Sequence, residues 1–201
     1  MARFPFVMLL CLVLGSARAQ SSATFALQPF DGIDPHLIDV AHAAISETYG
    51  VRSITALPVK ALPRSALNAA GSRFRAEKLL GILEEWRMGG YSRIVGLTDA
   101  DISTTKGPYV DWGIFGMANA KDSACVVSTF RLGKGGADET LFEARFKKVV
   151  IHEVGHTFGL AHCEVPGCVM QDAAGTIKTV DQSGGRLCSW CRRHLRFWPD
   201  R

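Results

Sequence analysis

His152-Glu153-Val154-Gly155-His156-Thr157-Phe158-Gly159-Leu160-Ala161-His162 is the stretch around which the chain is organised. Two histidines four residues apart leave a helix on the same side, so both imidazoles can reach one metal ion. Glu153 sits one position round the helix, close enough to handle a water on that metal. Gly159 can end the helix with a positive φ angle, which other residues resist. The chain can then turn back and bring His162 to the same ion as a third nitrogen ligand. Three protein ligands leave a fourth position open, as a catalytic zinc requires and a structural zinc does not. A five-residue HExxH pattern sometimes arises by chance in a helix; the added Gly159 and His162 make chance a poor explanation.

The chemistry follows from the residue types. A zinc held by His152, His156 and His162 lowers the pKa of a bound water towards neutrality and polarises a carbonyl. Glu153 is the candidate general base, taking the proton of the attacking water and passing it to a leaving amine. Peptide or amide hydrolysis needs these services.

Downstream stand four cysteines in two close pairs, Cys163 with Cys168 and Cys188 with Cys191. Four thiolates have the composition of a closed structural zinc site. The rival readings are two disulfides, or one disulfide and two free thiols, in an oxidising compartment. Cys125 stands alone in an apolar run and reads as a buried small hydrophobe.

Upstream, the pattern from Glu139 to Phe158 is helical, with Asp138 and Glu139 putting negative charge at its start. Asp34-Pro35 starts an earlier helix, with the aspartate as N-cap and the proline at the first helical position, and Gly50 closes it. A further amphipathic helix is expected over 72–88. Strands are expected over 51–59, 92–97, 109–118 and 124–130, and residues 20–30 are either an irregular lead-in or a first strand. Gly113 and Gly116, inside the expected 109–118 strand, mark a bulge or a close approach to the backbone by another group. Asp99 and Asp101 invite a catalytic or calcium role, but turn and cap roles are commoner. The glycine-rich 133–136 segment lacks the lysine-serine ending of a phosphate loop. This order suggests one α+β domain: a mixed sheet packed with helices and a small C-terminal cap.

The chain has 201 residues, enough for one domain with a sizeable core. Hydrophobic content of 47% and charged content of 21% are those of an ordinary globular protein. Residues 1–19 read as a secretory signal: Arg3 is the positive n-region, Phe4 to Leu14 the apolar run, and Ala17-Arg18-Ala19 a small-x-small cleavage site. The run is too short to stay in a bilayer as a permanent helix, so no stable membrane insertion is expected. Cleavage leaves residues 20–201 as the mature domain, exported to a periplasm or secreted. The net charge of +4 includes Arg3 and Arg18 of the leader, and the rest gives no argument for nucleic acid as a partner. The basic tail over 192–201 reads as a final helix with Phe197 and Trp198 as an aromatic plug.

From His152 to Cys191 the sequence reads HExxHxxGxxHC-x4-C-x-M-x17-C-x-x-C, which resembles the archaemetzincin signature in every position. Archaemetzincins are a branch of the metzincin zinc peptidases. Leu62-Pro63-Arg64-Ser65, the run from Ile94 to Asp99, Phe115-Gly116-x-Ala118 and Val126-Val127-Ser128 resemble family segments in the same order, so the likeness covers most of residues 51–191. The resemblance implies a metzincin-like twisted mixed sheet with a zinc-binding active-site helix and a small C-terminal subdomain. It implies His152, His156 and His162 as catalytic zinc ligands, Glu153 as general base, and Met170 as the methionine beneath the metal. It implies Cys163, Cys168, Cys188 and Cys191 as ligands of a second, structural zinc. The strand from Trp112 to Ala118 becomes the edge that holds a peptide or protein substrate in extended form. The expected molecule is thus a monomeric zinc metallopeptidase with two zinc ions. The alternative is a zinc-stabilised binding module with a silent catalytic site. The export leader departs from the family's usual pattern, and outside the cytosol oxidation competes with zinc for the four cysteines.

Overall fold

Alternation along three strands decides the architecture. In β1 (Thr24–Pro29), β4 (Arg93–Thr98) and β8 (Ala124–Ser128), successive side chains point to opposite faces of a sheet. Phe25, Leu27, Val95, Leu97, Cys125 and Val127 enter one apolar cluster, and Ala26, Ile94, Ala124 and Val126 enter another. Both faces are therefore covered, as a parallel sheet requires. The structure, a computed structural model, describes residues 24–118 and 123–195. The expected leader and the Phe197–Trp198 plug lie outside the described residues.

The first face is covered by two helices, α1 (Pro35–Tyr49) and α3 (Glu139–Thr157), which also pack on each other. Asp34 caps α1 by accepting the His36 N–H at 2.9 Å, Pro35 follows it, and Gly50 closes the helix with φ 69°. The other face is covered by α2 (Ala76–Arg87) through Leu79, Leu80 and Leu83. The sheet runs β2-β1-β4-β8-β7, where β2 is Ser53–Ala56 and β7 is Gly116–Ala118. All neighbours are parallel except β7, which pairs antiparallel with β8 and ends the sheet.

The sequence expectation holds for α1, α3, β4 and β8 and needs correction elsewhere. Residues 20–30 contribute β1, paired on both sides between β2 and β4. The expected 51–59 strand shortens to β2, and α2 begins at Ala76 rather than near residue 72. The expected 109–118 strand divides into β6 (Tyr109–Ile114) and β7, which belong to different sheets. β6 forms a hairpin with β5 (Ile102–Lys106), and β3 (Phe74–Arg75) completes a second, three-stranded sheet. Two short helices, α4 (Ile177–Gln182) and α5 (Ser189–Leu195), form the C-terminal cap. Among the described residues no helix is long and apolar enough to cross a membrane.

Asp101 serves the hairpin. It accepts two hydrogen bonds from Arg131, both at 2.7 Å, and one from Arg73 at 2.8 Å. Arg131 in turn lies against Gly113, where an added Cβ would meet its guanidinium at 2.1 Å. The carboxylate is fully engaged in holding β6 in place, which is the structural reading of Asp101.

Candidate metal centre

Helix α3 is capped by Asp138, whose side chain accepts the Leu141 N–H at 2.8 Å. Its last turns carry His152, Glu153 and His156, with the two histidines on one side. The Gly159 N–H bonds the His156 carbonyl at 2.8 Å with φ 78°, and the chain turns back as its sequence suggests. His162 then returns to the other two. Its ring centroid lies 4.9 Å from that of His156 and 5.4 Å from that of His152.

The hydrogen bonds fix the tautomers. His152 Nδ1 lies 2.8 Å from the Val169 carbonyl, and His156 Nδ1 lies 2.7 Å from the Leu160 carbonyl. A carbonyl only accepts, so each Nδ1 carries the proton and each Nε2 is left with a bare lone pair. Those two lone pairs face each other at 3.0 Å, a repulsive arrangement unless a cation sits between them. Burial first, and His156 second, pull His152 down to about 4, so its ring stays neutral at ordinary pH. Burial lowers His156 as well. Two neutral, pre-oriented imidazoles this close, with one ligand nitrogen of each of the three histidines within 4.8 Å of the others, fit a zinc ion with bonds of about 2.0 Å.

Glu153 is buried, and burial pushes its carboxyl up to about 8. A neighbouring divalent cation acts in the opposite direction and favours the carboxylate. Gly116 in β7 makes room for it: a Cβ there would meet the Glu153 side chain at 2.6 Å. The glycine singled out in the sequence for a close backbone approach is thus the one against which the candidate base packs. Beneath the helix Met170 is fully buried, its sulfur where a Gly155 Cβ would come within 2.5 Å. It packs against the stretch of α3 between His152 and His156.

The four cysteines also converge. Cys163 and Cys188 sulfurs lie 3.8 Å apart, as do those of Cys168 and Cys191, and all four lie within 4.8 Å of one another. All are free thiols, and 3.8 Å is well beyond a disulfide bond of about 2.05 Å. Four sulfurs about 2.3 Å from one zinc stand about 3.8 Å apart by tetrahedral geometry, so the cluster fits that ion too. Burial opposes ionisation of Cys188, but the Cys191 N–H and the neighbouring sulfurs outweigh it and bring the thiol down to about 7.

A cavity of about 450 Å³ opens on His152, Glu153, His156 and His162. β7 forms one wall, and Trp112 and Lys106 of the β5–β6 hairpin another. The cavity also reaches Asp172 and Val180, which sequence reasoning passed over. Asp172 Oδ2 lies 4.0 Å from His162 Nδ1. The Ala174 N–H is the main influence holding the Asp172 carboxyl below its usual range. The only sequence signal for Asp172 is its place directly after Cys168-x-Met170-Gln171, and Val180 lies on α4, which is too short and polar to announce itself.

Comparison with known proteins places this geometry in company. The family model described as peptidase family M54 matches residues 30–197. The archaemetzincin of Haloquadratum walsbyi is 32% identical over 162 residues, covering 77% of this chain and 89% of that protein. The crystal structure of archaemetzincin from Methanopyrus kandleri superposes with a TM-score of 0.77 at 30% identity, over 92% of this chain and 99% of that one. Archaemetzincin from Archaeoglobus fulgidus, crystallised with malonate, shares the fold at a TM-score of 0.71 and 24% identity, over 85% of this chain and 99% of that one.

Proposed function

The chain belongs to peptidase family M54, the archaemetzincins, a family of zinc metallopeptidases, and from that membership we propose that His152, His156 and His162 hold its catalytic zinc and that Glu153 is its general base. The observation that carries this reading is the pair of Nε2 lone pairs aimed at each other at 3.0 Å beside a buried carboxyl group. When bound, the zinc supplies Lewis acidity: it acidifies a water and draws electron density from the scissile carbonyl.

The remaining steps belong to the chain's own residues. The Val169 and Leu160 carbonyls keep the ligand nitrogens of His152 and His156 unprotonated and aimed. β7 ends its sheet, and its outer edge offers backbone groups to an extended peptide laid along the cavity. Glu153 accepts a proton from the attacking water and delivers it to the nitrogen of the leaving amine as the C–N bond breaks. Burial keeps that proton transfer out of bulk water. Peptide or protein is the substrate class.

A second zinc at Cys163, Cys168, Cys188 and Cys191 completes this reading; the four free thiols spaced 3.8–4.8 Å apart support it. The leader over 1–19 supports export with a mature N-terminus at Gln20. The working unit in this reading is a monomer.

Protein recovered from the exported fraction tests the proposal in one preparation. It is expected to begin at Gln20, to elute as a monomer with two zinc ions, and to cleave a peptide library. Chelation is expected to stop cleavage and added zinc to restore it. Zinc-replete, folded protein that cleaves nothing would favour a zinc-stabilised binding module instead.

A further inference from the structure

Between His162 and Met170 the chain makes one narrow loop, and the two metal-binding groups share it. His162 is followed directly by Cys163, and Cys168 is followed by Val169 and Met170. Each cysteine is therefore bonded in sequence to a part of the histidine site. Cys163 adjoins the third histidine. Cys168 adjoins the carbonyl that fixes the His152 tautomer and, one residue later, the sulfur under Gly155.

The loop is tied across its base by the Cys163 N–H, which donates to the Met170 carbonyl at 2.9 Å. The Cys168 N–H donates to the Val165 carbonyl at 3.1 Å and the Gly167 N–H to Gln171 Oε1 at 2.8 Å, and the C-terminal cap holds the loop from outside. The Val169 N–H donates to the Arg186 carbonyl at 3.0 Å, and the Gly184 N–H donates to the Gly167 carbonyl at 2.9 Å. The Cys188 N–H points at the Cys168 sulfur at 3.4 Å. The thiol cluster joins both arms of the loop, at Cys163 and Cys168, to Cys188 and to Cys191 of α5.

We propose that the cysteine cluster, with zinc bound, is a positioning device for the histidine site, so that the two sites bind metal cooperatively. Bonds from one ion to Cys163 and Cys168 fix both arms of the loop at once. They hold His162 towards its partners and the Val169 carbonyl against His152 Nδ1. When the cluster is empty the loop relaxes and that carbonyl drifts. The His152 proton is then free to sit on Nε2, which removes a ligand. Coupling between two sites is reciprocal, so filling the histidine site must tighten the cluster by the same factor. This rests on the zinc reading of both sites and does not depend on peptidase activity.

Cobalt(II) titration of the full chain tests it, because thiolate-to-cobalt charge-transfer bands and the visible bands of a histidine site report the two sites separately. Cys191→Ser removes a cluster ligand that adjoins neither arm of the loop. It is expected to weaken cobalt at the histidine site by about 10–100-fold, the usual effect of losing an orienting partner. His156→Gln is expected to weaken cobalt at the cluster by the same factor. Unchanged affinity in both variants would overturn the proposal. A loss in one variant alone, each judged against the unsubstituted chain with its other site already filled, would overturn it equally, because coupling is reciprocal.

Discussion

At the scale of residues, the site is built by small absences and by carbonyls. Two backbone oxygens, of Val169 and Leu160, decide which nitrogen of each α3 histidine carries the proton. Gly116 has no side chain, and Glu153 occupies the space that one would take. Gly116→Ala is therefore expected to displace the carboxyl group while the sheet stays intact. A displacement near 1 Å at a reacting group costs about 100-fold in rate. The expected outcome is a loss of that order in kcat with zinc content unchanged, read by steady-state kinetics and metal analysis of the same sample. A variant with full kcat would show that Glu153 does not need the space Gly116 leaves.

At the scale of elements, α3 was legible because its cap, its charge pattern and its histidine spacing are all local. The β5–β6 hairpin was not. Ile102-Ser103-Thr104-Thr105-Lys106 has one large apolar residue and no alternation to show, and Asp101 reads as a turn residue until Arg73 and Arg131 arrive from distant segments. The cysteine pairs suggest zinc but leave disulfides open, because spacing in sequence does not give sulfur distances in space. The C-terminal cap is joined to α3 by an ion pair. Arg145 is 4% exposed and donates to both oxygens of Asp181, at 2.7 and 2.8 Å. That bond to Arg145 holds the Asp181 carboxyl below its usual range. A lowered folded-state pKa contributes stability above the unfolded value of about 3.9, and this contribution is lost as pH falls through the folded value. Asp181→Asn is expected to destabilise by about 2 kcal/mol at pH 7, less than for a fully buried pair because Asp181 is partly exposed. The gap from the unsubstituted chain is expected to shrink below pH 4, as followed by urea unfolding. A gap independent of pH would exclude the ion pair as its source.

At the scale of the whole molecule, one sheet puts everything in reach. Its parallel strands are covered on both faces, α3 crosses one face, and β7 turns antiparallel to end the sheet beside Glu153. The second sheet and the C-terminal cap then close the cavity from either side. That arrangement assigns different work to different regions: strands and α1 hold the helix, the helix aims His152 and His156, and the cap secures the loop that follows His162. In the proposed mechanism Glu153 moves a proton while the histidines hold the metal, and those two roles can be separated. Glu153→Gln keeps the shape of the side chain and removes its basicity, so its zinc content and its peptide hydrolysis, measured side by side with the unsubstituted chain, test the claim most directly. The expected result is full zinc occupancy with hydrolysis lower by about 10²–10⁴-fold. Undiminished hydrolysis at full zinc occupancy would contradict it.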